Sequence, residues 1–373
     1  MNKMLIKKDF YRKVWCLLGL PFDAIIIDDA VNEVRLAAED RIPCFISTPN
    51  LNFIIAAQND INFRDSVIIS EMSIPDGMPI IWIARFLGYP LYQRVSGAGL
   101  FEELNKSHKK NNKIKVLFFG GINGVAKRAC ESLNRKDGNL HCVGHVFPGF
   151  GDISEMSDNN ILKAINDSHA DFVIVSLGAK KGQHWIIKNR NKLKAPVISH
   201  LGAVVNFVAG EVKRAPKWMQ NSGLEWLWRI FEEPLLFRRY ALDGLVLIKL
   251  IITKVIPYKI LLLSKKTIPD DEDIQIEISE MNNSIEILPR GKITTYNLNP
   301  LRDVFFNAVC IKKNIKLNLK YVEYIDASFI GLIMILYKYT ILHDCELHIN
   351  SASKQLKRIF YYNNASFLLQ NNY

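Results

Sequence analysis

Three kinds of residue in this 373-residue chain have types and spacing that suit chemistry. The first is a carboxylate, Asp76, in the run Ile74-Pro75-Asp76-Gly77, between an apolar stretch expected to be a strand (Val67–Ser70) and a helical pattern over Met78–Leu87. Asp before Gly at such a turn often only closes an Asx turn. In a parallel α/β sheet, however, ligands sit beyond the carboxyl ends of the strands, which is where this residue falls. Thr48-Pro49-Asn50 follows a second strand candidate, Ile42–Ser47, in the same way. Thr as N-cap with Pro at the first helical position is a strong helix start, and that is the structural role open to Thr48.

The second kind is arginine set among tryptophans in Lys213–Tyr240, KRAPKWMQNSGLEWLWRIFEEPLLFRRY. Pro216 disfavours a helical Ala215, and from Leu224 the apolar residues Leu224, Leu227, Trp228 and Phe231 recur at helical spacing. Arg229, Arg238 and Arg239 then lie on or near a helix with an apolar face. Guanidinium groups beside amphipathic aromatics suit a phosphate-bearing ligand at a membrane surface; a basic helix docked on its own domain is the competing reading. The third kind is the pair Gly120-Gly121 after the strand Ile114–Phe119, where glycine lets backbone approach a diphosphate at a helix N-terminus. Its spacing is neither a Walker loop nor G-x-G-x-x-G.

The elements that must hold these residues alternate. A helix capped by Asp28 or Asp29 is expected to run to about Asp40; further strands are expected at Leu140–Phe147, Asp171–Leu177 and Pro196–Ser199, with helices between. Alternation of this kind implies a parallel sheet. The length allows two domains. Net charge is +11, which fits anionic partners without choosing between phosphates, nucleic acid and acidic lipid; no nucleic-acid-binding signature is apparent. The six cysteines form no C-x-x-C and are expected to be free thiols; His141 and His145 fall in a strand, where an offset of four is not a metal-ligand pair. The basic N-terminus is followed by an apolar run too short for a signal peptide. Leu242–Leu263 is apolar but interrupted by Asp243, Lys249, Lys254 and Lys259, which favours an interfacial helix, or one packed on protein, over a membrane span. Lys265–Asp273 reads as a polar linker, and its Asp271-Glu272-Asp273 as solvated.

Taken together, the segment "RAPxW…GLEWLxR…EP…RRY" and the runs above resemble the WecG/TagA/CpsF glycosyltransferase family, over about Leu18–Tyr240. The resemblance implies a Rossmann-like domain moving a sugar from a nucleotide-diphosphate donor, UDP-linked, to a polyprenyl-diphosphate-linked acceptor. It implies inversion without a metal or other cofactor, at the inner face of the cell membrane. It makes Asp76 the general base, with Thr48 and Asn50 beside it; substrate contacts fall to Arg94 and Gly97 of Arg94-Val-Ser-Gly97, Gly120, Gly121, Gln183, Arg214, Arg229 and Arg239. There are departures. Gly99 stands where the family usually has an aspartate, Lys180, Gly182 and Gln183 where it has Pro, Gln and Glu, and Leu235 where a basic residue follows Glu-Pro.

Beyond the linker the pattern changes to period-two strands at Ile274–Ile278 and Ser284–Leu288, then a helix, a strand, a helix and a strand. This order, with Val322-Glu-Tyr-Ile-Asp-Ala-Ser-Phe-Ile-Gly-Leu, resembles a STAS domain over about Ile274–Leu369. The resemblance implies a regulatory or docking module with a protein partner and places a possible phosphorylation site at Ser328, although a serine there also suits a plain helix cap. The expectation is therefore an α/β chain of three parts: a glycosyltransferase domain over 1–245, an apolar segment and linker over 246–273, and a smaller α/β module over 274–373. The alternative is a catalytically silent scaffold whose C-terminal module does the work. Nucleic-acid binding through net charge is a third and weaker reading.

Overall fold

The structure is a computed structural model that describes residues 3–106, 113–264 and 273–369. Most of the expected linker, including Asp271 and Glu272, lies outside the described residues. The chain opens with α1 (Lys3–Phe10) and an antiparallel hairpin of β1 (Val14–Leu17) and β2 (Leu20–Asp23). Next come α2 (Ile27–Glu39), β3 (Cys44–Ser47), α3 (Leu51–Asn59), α4 (Ile61–Ile68), β4 (Met72–Ser73), α5 (Met78–Leu87) and α6 (Gly97–Lys106). The sheet is completed through β5 (Ile114–Gly120), α7 (Val125–Arg135), β6 (Leu140–Val146), α8 (Asn159–Asp167), β7 (Phe172–Ser176), α9 (Ala179–Asn189), β8 (Val197–His200) and α10 (Gly202–Ala209).

The strands of this sheet are all parallel, in the order β4-β3-β8-β7-β5-β6. Successive side chains feed opposite faces, as the pleat requires. Cys44 and Ile46 enter one core with Val116 and Phe118, while Phe45 enters the other with Leu117, Phe119 and Trp185. A sheet covered on both faces keeps its solvent-facing chemistry at the strand ends, so the carboxyl rim is where a site can open.

Several local expectations change. Val67 and Ile68 belong to α4, capped by Asp60, whose side chain accepts from Phe63 N at 3.0 Å; the strand is the two-residue β4. An apolar run of three has no periodicity with which to tell a buried helix end from a strand. Neither Asp28 nor Asp29 caps α2: Ile26 is at the cap, and Ile27 N donates to Gln93 Oε1 at 2.9 Å. Thr48 is not an N-cap either, since α3 begins at Leu51 and Asn50 Oδ1 accepts from Phe53 N at 3.2 Å. Cys130 and Cys142 are disulfide-bonded rather than free, because α7 packs on β6 and brings their Cα atoms to 5.2 Å; Cys16, Cys44, Cys310 and Cys345 are free thiols.

After the sheet come α11 (Lys217–Ser222), α12 (Glu225–Glu232), α13 (Leu236–Leu250), a π-helical turn (Ile251–Val255) and α14 (Ile256–Leu263). Leu250, Val255 and Tyr258 are buried, while Leu245, Ile248, Ile252, Ile256, Ile260 and Leu263 stay exposed, so the segment both packs on protein and shows an apolar stripe. Among the described residues no helix is long and apolar enough to cross a membrane.

The C-terminal unit comprises β9 (Gln275–Glu280), β10 (Ser284–Ile293), α15 (Asn299–Ile311), β11 (Asn314–Asn318), β12 (Tyr321–Ile325), α16 (Ala327–Leu342), β13 (Leu347–Asn350) and α17 (Lys354–Tyr362). Its sheet runs β12-β10-β11-β13, parallel, with β9 antiparallel to β10. This unit does not hang free. One apolar core runs from Phe10, Leu17 and Phe22 through Phe63 and Ile81 to Phe305, Phe329 and Leu336. At Gly331 a side chain is impossible, because a Cβ would lie 2.3 Å from Val14 O.

Candidate active site

Asp76 emerges directly after β4, and its position is set by backbone pairing. Ile74 N donates to Ser47 O at 2.9 Å and Asp76 N to Pro49 O at 3.0 Å, which clamps the Pro75-Asp76 turn to the end of β3. Gly77 follows with φ 138°, a value that side chains disfavour, and the chain turns there into α5. Gly97 N donates to Asp76 Oδ2 at 3.3 Å from the start of α6. A Cβ at Gly97 would collide with the Leu201 side chain and come within 3.4 Å of Thr48 Cγ2, so glycine there is what lets Thr48, Gly97 and Asp76 meet.

Burial pushes the Asp76 carboxyl up to about 6. The Arg94 guanidinium opposes the rise, Glu225 adds to it, and the Gly97 hydrogen bond and Arg229 oppose it less strongly. The base candidate from the β4 turn therefore shares one electrostatic site with Arg94 and with Glu225 and Arg229 of the later segment. Arg94 Nη2 lies 2.7 Å from Glu225 Oε2, and Arg229 Nη2 lies 3.0 Å from Glu233 Oε2 with its guanidinium over the Phe207 ring at 5.8 Å.

Other candidates are distributed around this centre. Asn50 caps α3 and lies under the Gly77 turn, 3.7 Å from where a Gly77 Cβ would be. Arg214 is ion-paired to Glu102 on α6, which also receives Lys217 Nζ at 3.1 Å. Gly99 lies one helical turn before Glu102 and would place a Cβ 3.8 Å from Arg214 Nη2, and it is Glu102 that pairs with this arginine. Arg239 stacks toward Tyr240 at 5.2 Å, one turn before Asp243, which is hydrogen-bonded to Asn52 of α3. Gly120 ends β5, three strands from β3 along the rim, and the following Gly121 N donates to Ser176 O at 2.7 Å. Lys180 and Lys181 are engaged locally, by Asp60 at 2.5 Å and Gly151 O at 2.5 Å.

Gln183 is fully buried at the start of α9, with Nε2 donating to Ser47 Oγ at 3.2 Å and Oε1 without a partner. Ser328 is remote from all of these. It is 3 % exposed, its Oγ donates to Asp326 Oδ1 at 2.5 Å, and Asp326 also accepts from Ser328 N and Phe329 N. Ser328 is thus enclosed in the cap of α16, and a kinase would reach it only after that cap opened.

Sequence reasoning missed Glu225 and Glu102. Glu225 lay in the quoted run Gly223-Leu-Glu-Trp-Leu227, but only the fold shows that its carboxylate reaches back more than a hundred residues to Arg94. Among the described residues no group of three or more His, Cys, Asp or Glu side chains could hold a metal ion.

One rim of the parallel α/β sheet thus carries a carboxyl raised by burial, with the guanidinium groups of Arg94 and Arg229 close enough to act on it. Residues 15–259 match the Glycosyl transferase WecG/TagA/CpsF family, and the chain belongs to it. An N-acetylglucosaminyldiphosphoundecaprenol N-acetyl-beta-D-mannosaminyltransferase of Bacillus subtilis (strain 168) is 27 % identical over 201 residues, covering 54 % of this chain and 76 % of that protein. A protein of the same name from Staphylococcus aureus (strain NCTC 8325 / PS 47) is 25 % identical over 215 residues, covering 57 % and 82 %.

Proposed function

We propose that the chain transfers a hexose of the N-acetylmannosamine type from a UDP-linked donor to a polyprenyl-diphosphate-linked acceptor, with inversion and without a metal. Asp76 takes the proton from the acceptor hydroxyl as its oxygen attacks the anomeric carbon. The bond from that carbon to the diphosphate breaks, and the nucleotide diphosphate leaves with the electron pair. Arg94, Arg229 and the neighbouring arginines offset the charge that grows on the departing group. The printed names of the relatives support the acceptor class. The observation that carries the reading is the half-buried Asp76, its carboxyl raised to about 6, in the field of Arg94 and Arg229.

The exposed stripe on α13 and α14 supports a peripheral seat on the membrane that holds the acceptor. The order of strands and helices over 275–362 supports a STAS-type unit, with docking or regulation as its role. The test is a screen of nucleotide sugars with polyprenyl-diphosphate-linked acceptors in mixed micelles, read as nucleotide release and lipid-linked product. Failure of every donor to give product would remove the transferase reading and leave the scaffold.

A further inference from the structure

His200, the last residue of β8, is buried at the middle of the carboxyl rim, between β3 and β7. The β3–β8 ladder ends at Ile46 and Ser199, so Ser47 and His200 are the next residues on the two strands. The imidazole occupies a slot between two glycines. A Cβ at Gly182 would lie 2.3 Å from His200 Cδ2, and one at Gly202 would lie 3.3 Å from Nε2. A side chain at position 182 and the ring of His200 therefore cannot occupy this place together. Nε2 is sealed from solvent and has no hydrogen-bond partner. The neighbouring Gln183 Oε1 is in the same condition, although its amide nitrogen holds Ser47. Two buried polar atoms without partners at one rim are costly, each by about 1–3 kcal/mol, and are the kind of debt a bound polar group removes.

We propose that His200, whose ring fills the space left by Gly182, is a further substrate-binding residue, which with Gln183 contacts the nucleotide-sugar donor at the carboxyl rim. This rests on the transferase reading above. Burial keeps the imidazole neutral, with its pKa pushed down to about 4, so its contact is with an uncharged hydroxyl or amide edge of the donor.

The test uses the full chain with His200→Ala, His200→Gln, Gly182→Ala and the double variant Gly182→Ala/His200→Gly. Donor KM is measured against acceptor KM, and binding of UDP-N-acetylmannosamine is followed separately by thermal shift. His200→Ala should raise donor KM and weaken donor binding at least tenfold with little change in acceptor KM, while His200→Gln stays within about threefold of wild type on both measures. Gly182→Ala should lower the melting temperature, and the double variant should recover it. Equal donor binding by wild type and His200→Ala overturns the proposal, as does a fall in His200→Gln as deep as in His200→Ala. Donor binding without turnover in the wild type, lost in His200→Ala, supports the His200 assignment while refuting transfer. Absence of binding by any form refutes both.

Discussion

Arg94 Nη2 and Glu225 Oε2 stand 2.7 Å apart, and this ion pair ties α12 to the rim that carries Asp76. It couples the position of the arginine-rich segment to the protonation of the candidate base, because Arg94 lowers the Asp76 pKa and Glu225 raises it. Glu225→Gln should therefore move the acidic limb of the kcat/KM profile below its wild-type position near pH 6, and Arg94→Met should move it above. Both shifts are read from initial rates between pH 4.5 and 8.5. Movement of both limbs in the same direction would show that these charges do not act on Asp76.

Asp76→Asn should reduce transfer by about 10²–10⁴-fold, the usual loss on removing a general base. The same substitution has an opposite effect on stability. The folded-state pKa lies above the unfolded value, so the native state holds more protons than the unfolded one between about pH 4 and 6. The contribution of Asp76 to stability is thus greatest below that window and falls as pH rises through the folded pKa. Asp76→Asn, which cannot ionise, should be more stable than wild type by on the order of 1–2 kcal/mol at pH 7.5, with the advantage gone by pH 4. Urea melts at the two pH values check this; an advantage that persists at pH 4 would assign the effect to packing instead.

Much of this was legible in the sequence because it is local. Asp76-Gly77 at a turn, the apolar strands other than Val67–Ser70 and the helix Met78–Leu87 all follow from neighbours within a few residues. What stayed hidden depends on residues far apart in sequence. Asn50 outcompetes Thr48 for the cap, which leaves the threonine beside Gly97 through its methyl group, and only the three-dimensional start of α3 reveals it. Cys130 and Cys142 carry no motif and meet because α7 lies on β6. The departure at Gly182 looks like a lost contact in one dimension. In the fold it is the vacancy that His200 fills.

The buried cation Lys338 gives the C-terminal unit a measurable place in the fold. It is 2 % exposed, lies 2.7 Å from Asp9 and 3.3 Å from Glu71, and donates to Ser70 O at 3.1 Å. Burial alone would raise the Asp9 pKa, but Lys338 and Arg12 hold it below the usual carboxylate range. Glu71 also accepts from Phe45 N at 2.9 Å and pairs with Arg190 at 2.9 Å, so the network from α16 ends on β3, three residues before Thr48. Lys338→Met should destabilise the whole chain by about 3–5 kcal/mol, the cost of leaving buried charge without its partner. A single cooperative denaturation transition, shifted as a unit, is expected. Two separate transitions, with only the C-terminal one displaced, would show that the units fold independently.

The exposed stripe of α13 and α14 predicts where the protein meets lipid. Leu245, Ile248 and Ile252 are 65 %, 55 % and 60 % exposed at spacings of three and four, so they form one helical face, extended by Ile256 and Ile260. Asp243, two residues before Leu245, is buried and bonded to Asn52, which anchors the inner side of the same helix. Each side chain can contribute roughly 1.5–3 kcal/mol if it enters an apolar phase fully, and interfacial insertion realises only part of that. The triple change Leu245→Asn, Ile248→Asn and Ile252→Asn should cut binding to vesicles containing anionic lipid by at least tenfold in co-sedimentation, with the melting temperature close to wild type because none of the three is buried. Turnover of a long-chain lipid acceptor should fall with it, whereas donor binding in solution should not. Vesicle binding equal to wild type would place the membrane contact elsewhere on the surface.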